Sequence, residues 1–199
     1  MTPTSNTLRM IALAIMILWF ILYWQAGRGL VVNLRQKNTP SHTYHDRPLV
    51  ILISLFSSLV WITGLLILRG RIPWQDTSLT AALVYPGLAL TLAGTIGVSI
   101  TRYQLGKYWS AVARLQPDHA LVDVGAYRVV RHPLYAFAVM QAFGTCLVFP
   151  SWWNIILTVL VVICFVLKTT GEDRHILRLI SGYEEYTSKV PYLLIPGIW

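Results

Sequence analysis

The sequence predicts an all-α integral membrane fold of about five transmembrane helices, with a short helical hairpin toward the carboxyl end and a cytoplasmic ligand-binding region beside it. Three observations predict it. Of the 199 residues, 55% are hydrophobic and only 12% are charged, about half the charge of an ordinary soluble domain, so water is not the chain's main solvent. Charge is then excluded from long stretches, since 49–68, 79–100 and 134–167 contain no Asp, Glu, Lys or Arg. Finally, basic residues are rich and poor in alternate intervening segments.

The first span is expected between Leu8 and Trp24, interrupted only by Arg9 at its start. A signal peptide is the competing reading, but the flanking positive charge lies mostly downstream and no small-residue cleavage site follows, so it reads as a retained helix. The runs 49–68 and 79–100 are each about the ~20 residues that cross the hydrocarbon core as a helix. The run 134–167 would extend ~50 Å as one helix, against ~30 Å of hydrocarbon, and must fold back. Pro150-Ser151, followed by Trp152 and Trp153, supplies a breaker and interfacial aromatics at its midpoint. Two short helices of ~16 residues are therefore expected there, accommodated by tilt or local thinning.

Orientation follows from Lys and Arg, which accumulate in cytoplasmic loops. Thirteen of them fall in the segments after the first, third and fifth spans, against three (Arg9, Arg69, Arg71) on the other side. The amino terminus is thus expected outside and the carboxyl terminus in the cytoplasm, an arrangement that suits a prokaryotic inner membrane. The net charge of +8 lines membrane-proximal loops, so anionic lipid headgroups, not nucleic acid, are its expected partners. Cys146 and Cys164 lie at different depths in the predicted spans, and neither a disulfide nor a metal site is suggested.

No repeat or linker divides the chain, so residues 1–199 read as a single membrane domain. Residues 1–100 carry the first three helices, and 101–199 carry helices four and five and a cytoplasmic carboxyl-terminal helix. The chemistry is concentrated in the second part, which holds six of the eight acidic residues after position 115. Pro133 is suited to the first turn of the fourth span, where a missing N–H costs nothing. Arg131 and His132 then sit at the membrane surface beside the positive end of that helix, where an anionic ligand group is favoured. After the fifth span, Ile176, Leu179, Ile180 and Tyr183 recur at helical spacing, consistent with a surface-lying helix begun at Glu172.

His119, Leu121-Val122, Gly125, Tyr127, Arg131-His132-Pro133 and Tyr135, followed by Glu172-Asp173, Tyr183, Tyr186 and Pro196, form an ordered set over residues 100 to 196. In this the chain resembles the isoprenylcysteine carboxyl methyltransferase family, within a wider group of membrane phospholipid methyltransferases. The resemblance implies an S-adenosylmethionine-dependent methyltransferase with a lipophilic acceptor. It implies cofactor contacts from His119, Leu121, Val122, Gly125, Tyr127, His132, Pro133 and Tyr135, with Arg131 and Glu172 closest to the reacting groups. The chain departs from the family pattern in having Glu172-Asp173 preceded by Lys168, where a Glu pair preceded by Arg is usual.

Methyl transfer from a sulfonium is an in-line displacement that mainly requires alignment. Tyr127 or Tyr135 suits attraction of the cation, and Arg131 suits a bidentate grip on a carboxylate of cofactor or substrate. With a carboxylate acceptor no base is needed, and Glu172 would orient Arg131 or bind a cofactor hydroxyl or amine; with an amine or phenol, Glu172 or His132 is the candidate base. Each residue has a plainer role beside the chemical one: Arg131 as a snorkelling anchor, His132 and Glu172 as helix-end groups, the tyrosines as interfacial anchors, His119 as a loop residue and Gly125 as a turn. The competing functions are an NADPH-dependent lipid or sterol reductase, and a non-enzymatic assembly or transport subunit, the latter weakened by the absence of charge within the spans.

Overall fold

The computed structural model describes residues 46–72, 78–109 and 121–199, the short segments 42–43 and 114–115, and residues 11, 14 and 17. The predicted first span lies outside the described residues except for Ile11, Ala14 and Ile17, which are helical. The other predicted spans appear as α1 (Arg47–Leu68), α2 (Ser78–Leu105), α3 (Pro133–Val148) and α4 (Trp152–Leu179), with a short α5 (Tyr183–Lys189) after them. Three of these, α1, α2 from Ala82 onward, and α4, are long and apolar enough to cross a membrane, while α3 is a shorter apolar helix. A two-residue antiparallel pairing joins His42–Thr43 to Arg114–Leu115.

α2 packs most extensively on α3, and α1 on α4. In a membrane this cannot rest on expelling water, so close backbone approach supplies the attraction. Glycine makes the approach possible. A Cβ on Gly94 would lie 2.7 Å from the Gln141 nitrogen and the Phe137 carbonyl, and one on Gly144 would lie 2.5 Å from the Thr91 nitrogen. Two hydroxyls embedded in α2 are satisfied locally: Thr91 donates to the Gly87 carbonyl at 2.8 Å and Thr101 to that of Gly97 at 2.7 Å. The interhelical bond from Gln141 Nε2 to Thr95 Oγ1, 2.9 Å, joins the two helices near their middles. Ile51, Leu55 and Ile62 on α1 and Ile156, Val159 and Ile163 on α4 are left exposed, as lipid-facing side chains are.

The break at Pro150 falls where expected. Ser151 caps α4 by accepting from the Asn154 N–H at 3.2 Å, and the Asn154 amide donates to the Phe149 carbonyl at 2.8 Å. The expectation of two short helices holds only for α3. α4 is 28 residues long, about 42 Å, and continues well beyond a ~30 Å core. The predicted helix start at Glu172 is therefore corrected: Glu172 and Asp173 lie inside α4. The polar stretch from Lys168 onward has no proline, and Lys168, Glu172 and Asp173 find partners on other segments, so the helix need not stop. It ends instead at Leu179, followed by Gly182 at φ +82°, a left-handed conformation that glycine adopts without a Cβ penalty. Tyr183 thus begins α5 and does not extend the stripe of Ile176 and Leu179.

Candidate functional site

The loop before α3, the projecting end of α4 and the final segment of the chain meet at one end of the bundle. Pro133 occupies the first turn of α3 and is almost fully buried. The preceding Arg131 and His132 are fixed by their backbone, the Arg131 N–H donating to the Tyr192 carbonyl and the His132 N–H to that of Leu193, both at 2.9 Å. Arg131 Nη1 adds bonds to the carbonyls of Val190 and Pro191 at 2.9 and 2.8 Å. Arg131 does grip a carboxylate with two nitrogens, but that carboxylate is Asp173, through Nε at 3.0 Å and Nη2 at 3.2 Å. Four of its five guanidinium N–H groups are thus engaged within the chain.

Asp173 also accepts from the Tyr183 hydroxyl at 2.6 Å and meets His132 Nε2 at 3.3 Å. Three segments converge on one carboxylate, which ties α3, α4 and α5 together. His132 precedes α3 without capping it through its side chain; its ring, 7% exposed, is used on Asp173.

Glu172, the adjacent residue, is placed differently. Its Oε2 accepts from the Tyr135 hydroxyl at 2.6 Å and lies 3.7 Å from Lys168 Nζ. Its side chain is 18% exposed, and among the described residues no donor reaches its Oε1. The Tyr135 ring lies parallel to that of His132, with centroids 5.7 Å apart, and 5.5 Å from Phe165 on α4. Lys168 is buried and paired with Asp46, just before α1.

Leu121 packs against the buried cluster of Tyr183, Tyr186 and Val190. Val122 is half-buried. Gly125 has φ +56°, as its turn requires, and the space beside it is occupied by Gln104, whose Nε2 would lie 2.0 Å from a Cβ there. That side of Gly125 is a packing contact. Gln104 Oε1 is itself buried with no hydrogen-bond partner among the described residues. Tyr127 is buried, and its carbonyl accepts from the Tyr186 hydroxyl at 2.6 Å. Burial raises all three phenols at this end: Tyr186 is pushed up to about 12, and Tyr127 and Tyr183 rise further, Tyr183 also because it donates to Asp173. They stay protonated throughout the physiological range. His119 lies outside the described residues. The sequence reading missed Asp46 and Gln104, for which no local motif exists, and the part played by Asp173.

Behind Phe165 lies a cavity of about 510 Å³ among α1–α4, mostly apolar, lined by Trp61, Val98, Ala142 and Phe165 and by the polar Gln141 and Arg102. The Arg102 guanidinium sits 3.8 Å above the Trp109 ring, at the same end of the bundle as Arg131. The volume falls in the roughly 300–1,000 Å³ range of small-molecule sites. Phe165 therefore lies between this apolar chamber and the polar Tyr135–Glu172 pair.

Residues 82–181 match the family model described as phospholipid methyltransferase. Two curated relatives, both named "Probable protein-S-isoprenylcysteine O-methyltransferase", come from Oryza sativa subsp. indica and Oryza sativa subsp. japonica. Each is 25% identical over 182 residues, covering 84% of this chain and 92% of the relative.

Proposed function

The chain belongs to the phospholipid methyltransferase family, and from that premise we propose that it transfers a methyl group from S-adenosylmethionine to a lipophilic acceptor at the cytoplasmic face of the membrane. The observation that carries the proposal is the shared wall at Phe165, which lines the apolar cavity while its ring lies 5.5 Å from Tyr135, the residue that holds Glu172. A lipid chain in the cavity brings its polar end to that wall, and a water-soluble cofactor reaches the same wall from the other side.

The donor set fits the cofactor. Glu172 keeps an open carboxylate oxygen for an ammonium or ribose hydroxyl, Tyr135 offers an aromatic face to a cation, and the buried Gln104 carbonyl oxygen lacks a donor among the described residues. When bound, S-adenosylmethionine supplies an electrophilic methyl on a sulfonium. Tyr135 and Glu172 then orient the reacting groups, and the Arg131–Asp173 clasp holds α3, α4 and the chain end in register. For a carboxylate acceptor Glu172 serves only to bind; for an amine acceptor it also takes the proton released. Leu121, Val122, Gly125, Tyr127, His132 and Pro133 shape the pocket wall. The cytoplasmic placement is supported by the thirteen-to-three distribution of Lys and Arg.

Membranes containing the protein, incubated with methyl-labelled S-adenosylmethionine and then extracted, should yield a labelled lipid absent from control membranes. Labelling confined to water-soluble products, or NADPH-dependent reduction of lipid without label, would overturn the proposal.

A further inference from the structure

We infer that Asp46, which lies outside the matched region 82–181, is a positioning residue for Glu172; this rests on the methyl-transfer function proposed above. An Asp at a helix N-terminus ordinarily caps the first turn. Asp46 occupies that place before α1, yet its side chain makes no capping bond and reaches Lys168 Nζ on α4, 122 residues away. Both partners are buried, at 1% and 3% exposure.

The consequence falls on Glu172. Lys168 precedes it by one helical turn, the spacing at which Lys and Glu pair directly on a helix. Here they form an ion pair at 3.7 Å without a hydrogen bond, while the Tyr135 hydroxyl takes the same carboxylate oxygen at 2.6 Å. Asp46 takes the closer contact with the ammonium, so the hydrogen bond on Glu172 is left to Tyr135 and its Oε1 stays open. The Lys168 ammonium also stands 5.5 Å from the Tyr135 ring centroid, so a released Lys168 disturbs both members of the Tyr135–Glu172 pair. Two opposite buried charges that cancel can be replaced together more cheaply than one alone, which gives the inference its test.

In full-length protein in detergent, Asp46→Asn should lower kcat/KM for labelled S-adenosylmethionine by about tenfold or more, as expected for a misplaced binding group. Asp46→Asn with Lys168→Met should recover most of that loss. The ¹⁹F resonance of 3-fluorotyrosine placed at position 135 should move in the single variant and return in the double. Equal losses in the two variants, with intact folding, would show a mere staple between α1 and α4 and overturn the inference; so would unchanged kinetics in the single variant. A wild-type protein that binds no S-adenosylmethionine would sink the proposed function. The ¹⁹F signal still decides the positioning role in that case, a stationary resonance in Asp46→Asn refuting it.

Discussion

The two adjacent carboxylates of α4 should separate cleanly under mutation. Asp173→Asn confronts the Arg131 fork with an amide and weakens contacts at 3.0 and 3.2 Å to Arg131, 2.6 Å to Tyr183 and 3.3 Å to His132. Breaking a buried ion pair by removing one partner costs about 3–5 kcal/mol; with side-chain exposures of 11% and 14%, the lower figure of about 3 kcal/mol applies. For a chain of this size each kcal/mol is worth about 2–4 °C, so the thermal midpoint in detergent should fall by about 6–12 °C. Glu172→Gln keeps an oxygen for the Tyr135 hydroxyl and should change stability by no more than about 1 kcal/mol. Its methyl transfer should fall by about a hundredfold or more. Midpoints by intrinsic fluorescence and initial rates with labelled cofactor, measured on the same preparations, decide the matter. A Glu172→Gln protein as unstable as Asp173→Asn, or an Asp173→Asn protein as stable as wild type, would refute the division of labour.

Gly94→Ala places a methyl against backbone atoms of Phe137 and Gln141 at 2.7 Å and should destabilise by about 1–3 kcal/mol through forced separation of α2 and α3; an unchanged midpoint would show that they do not pack this closely. Ala142→Trp fills the cavity behind Phe165 and should raise KM for the lipid acceptor while leaving cofactor affinity intact, whereas unchanged acceptor kinetics would place the lipid elsewhere. The buried phenols predict alkaline sensitivity. Because Tyr186 titrates at about 12 in the fold against 10.0 when free, the folded state holds the proton more tightly, so the contribution is complete below pH 10 and is lost as pH rises through 12. Midpoints measured across that window should decline, and Tyr186→Phe should flatten part of the decline.

The spans, the Pro150 break and the Pro133 helix start were legible because each is a local property: an uncharged run, a missing N–H, a fixed φ. The extent of α4 was not. Lys168, Glu172 and Asp173 look from sequence like the chain leaving the membrane and starting anew, because nothing near them announces the partners Asp46 and Arg131, 122 and 42 residues away. The same distance hid the partner of Arg131: its fork geometry was readable, the carboxylate it holds was not. The ordered motif did indicate which segments belong together, and the residues from Leu121 to Tyr135 do meet those from Lys168 to Tyr186. It could not divide them into clasp and binding edge, since Arg131 and Asp173 are as polar as Tyr135 and Glu172. Gly125 was readable as a turn, but Gln104 as its neighbour depends on the register of α2 against the loop.

Hydrogen exchange of the detergent-solubilised protein with and without S-adenosylmethionine tests whether 121–135 and 168–190 wall a single cofactor site. Added cofactor should slow exchange in both segments together, at one midpoint concentration, with the far turn around Pro150 unaffected. Slowing in one segment alone, or protection centred on that far turn, would contradict it.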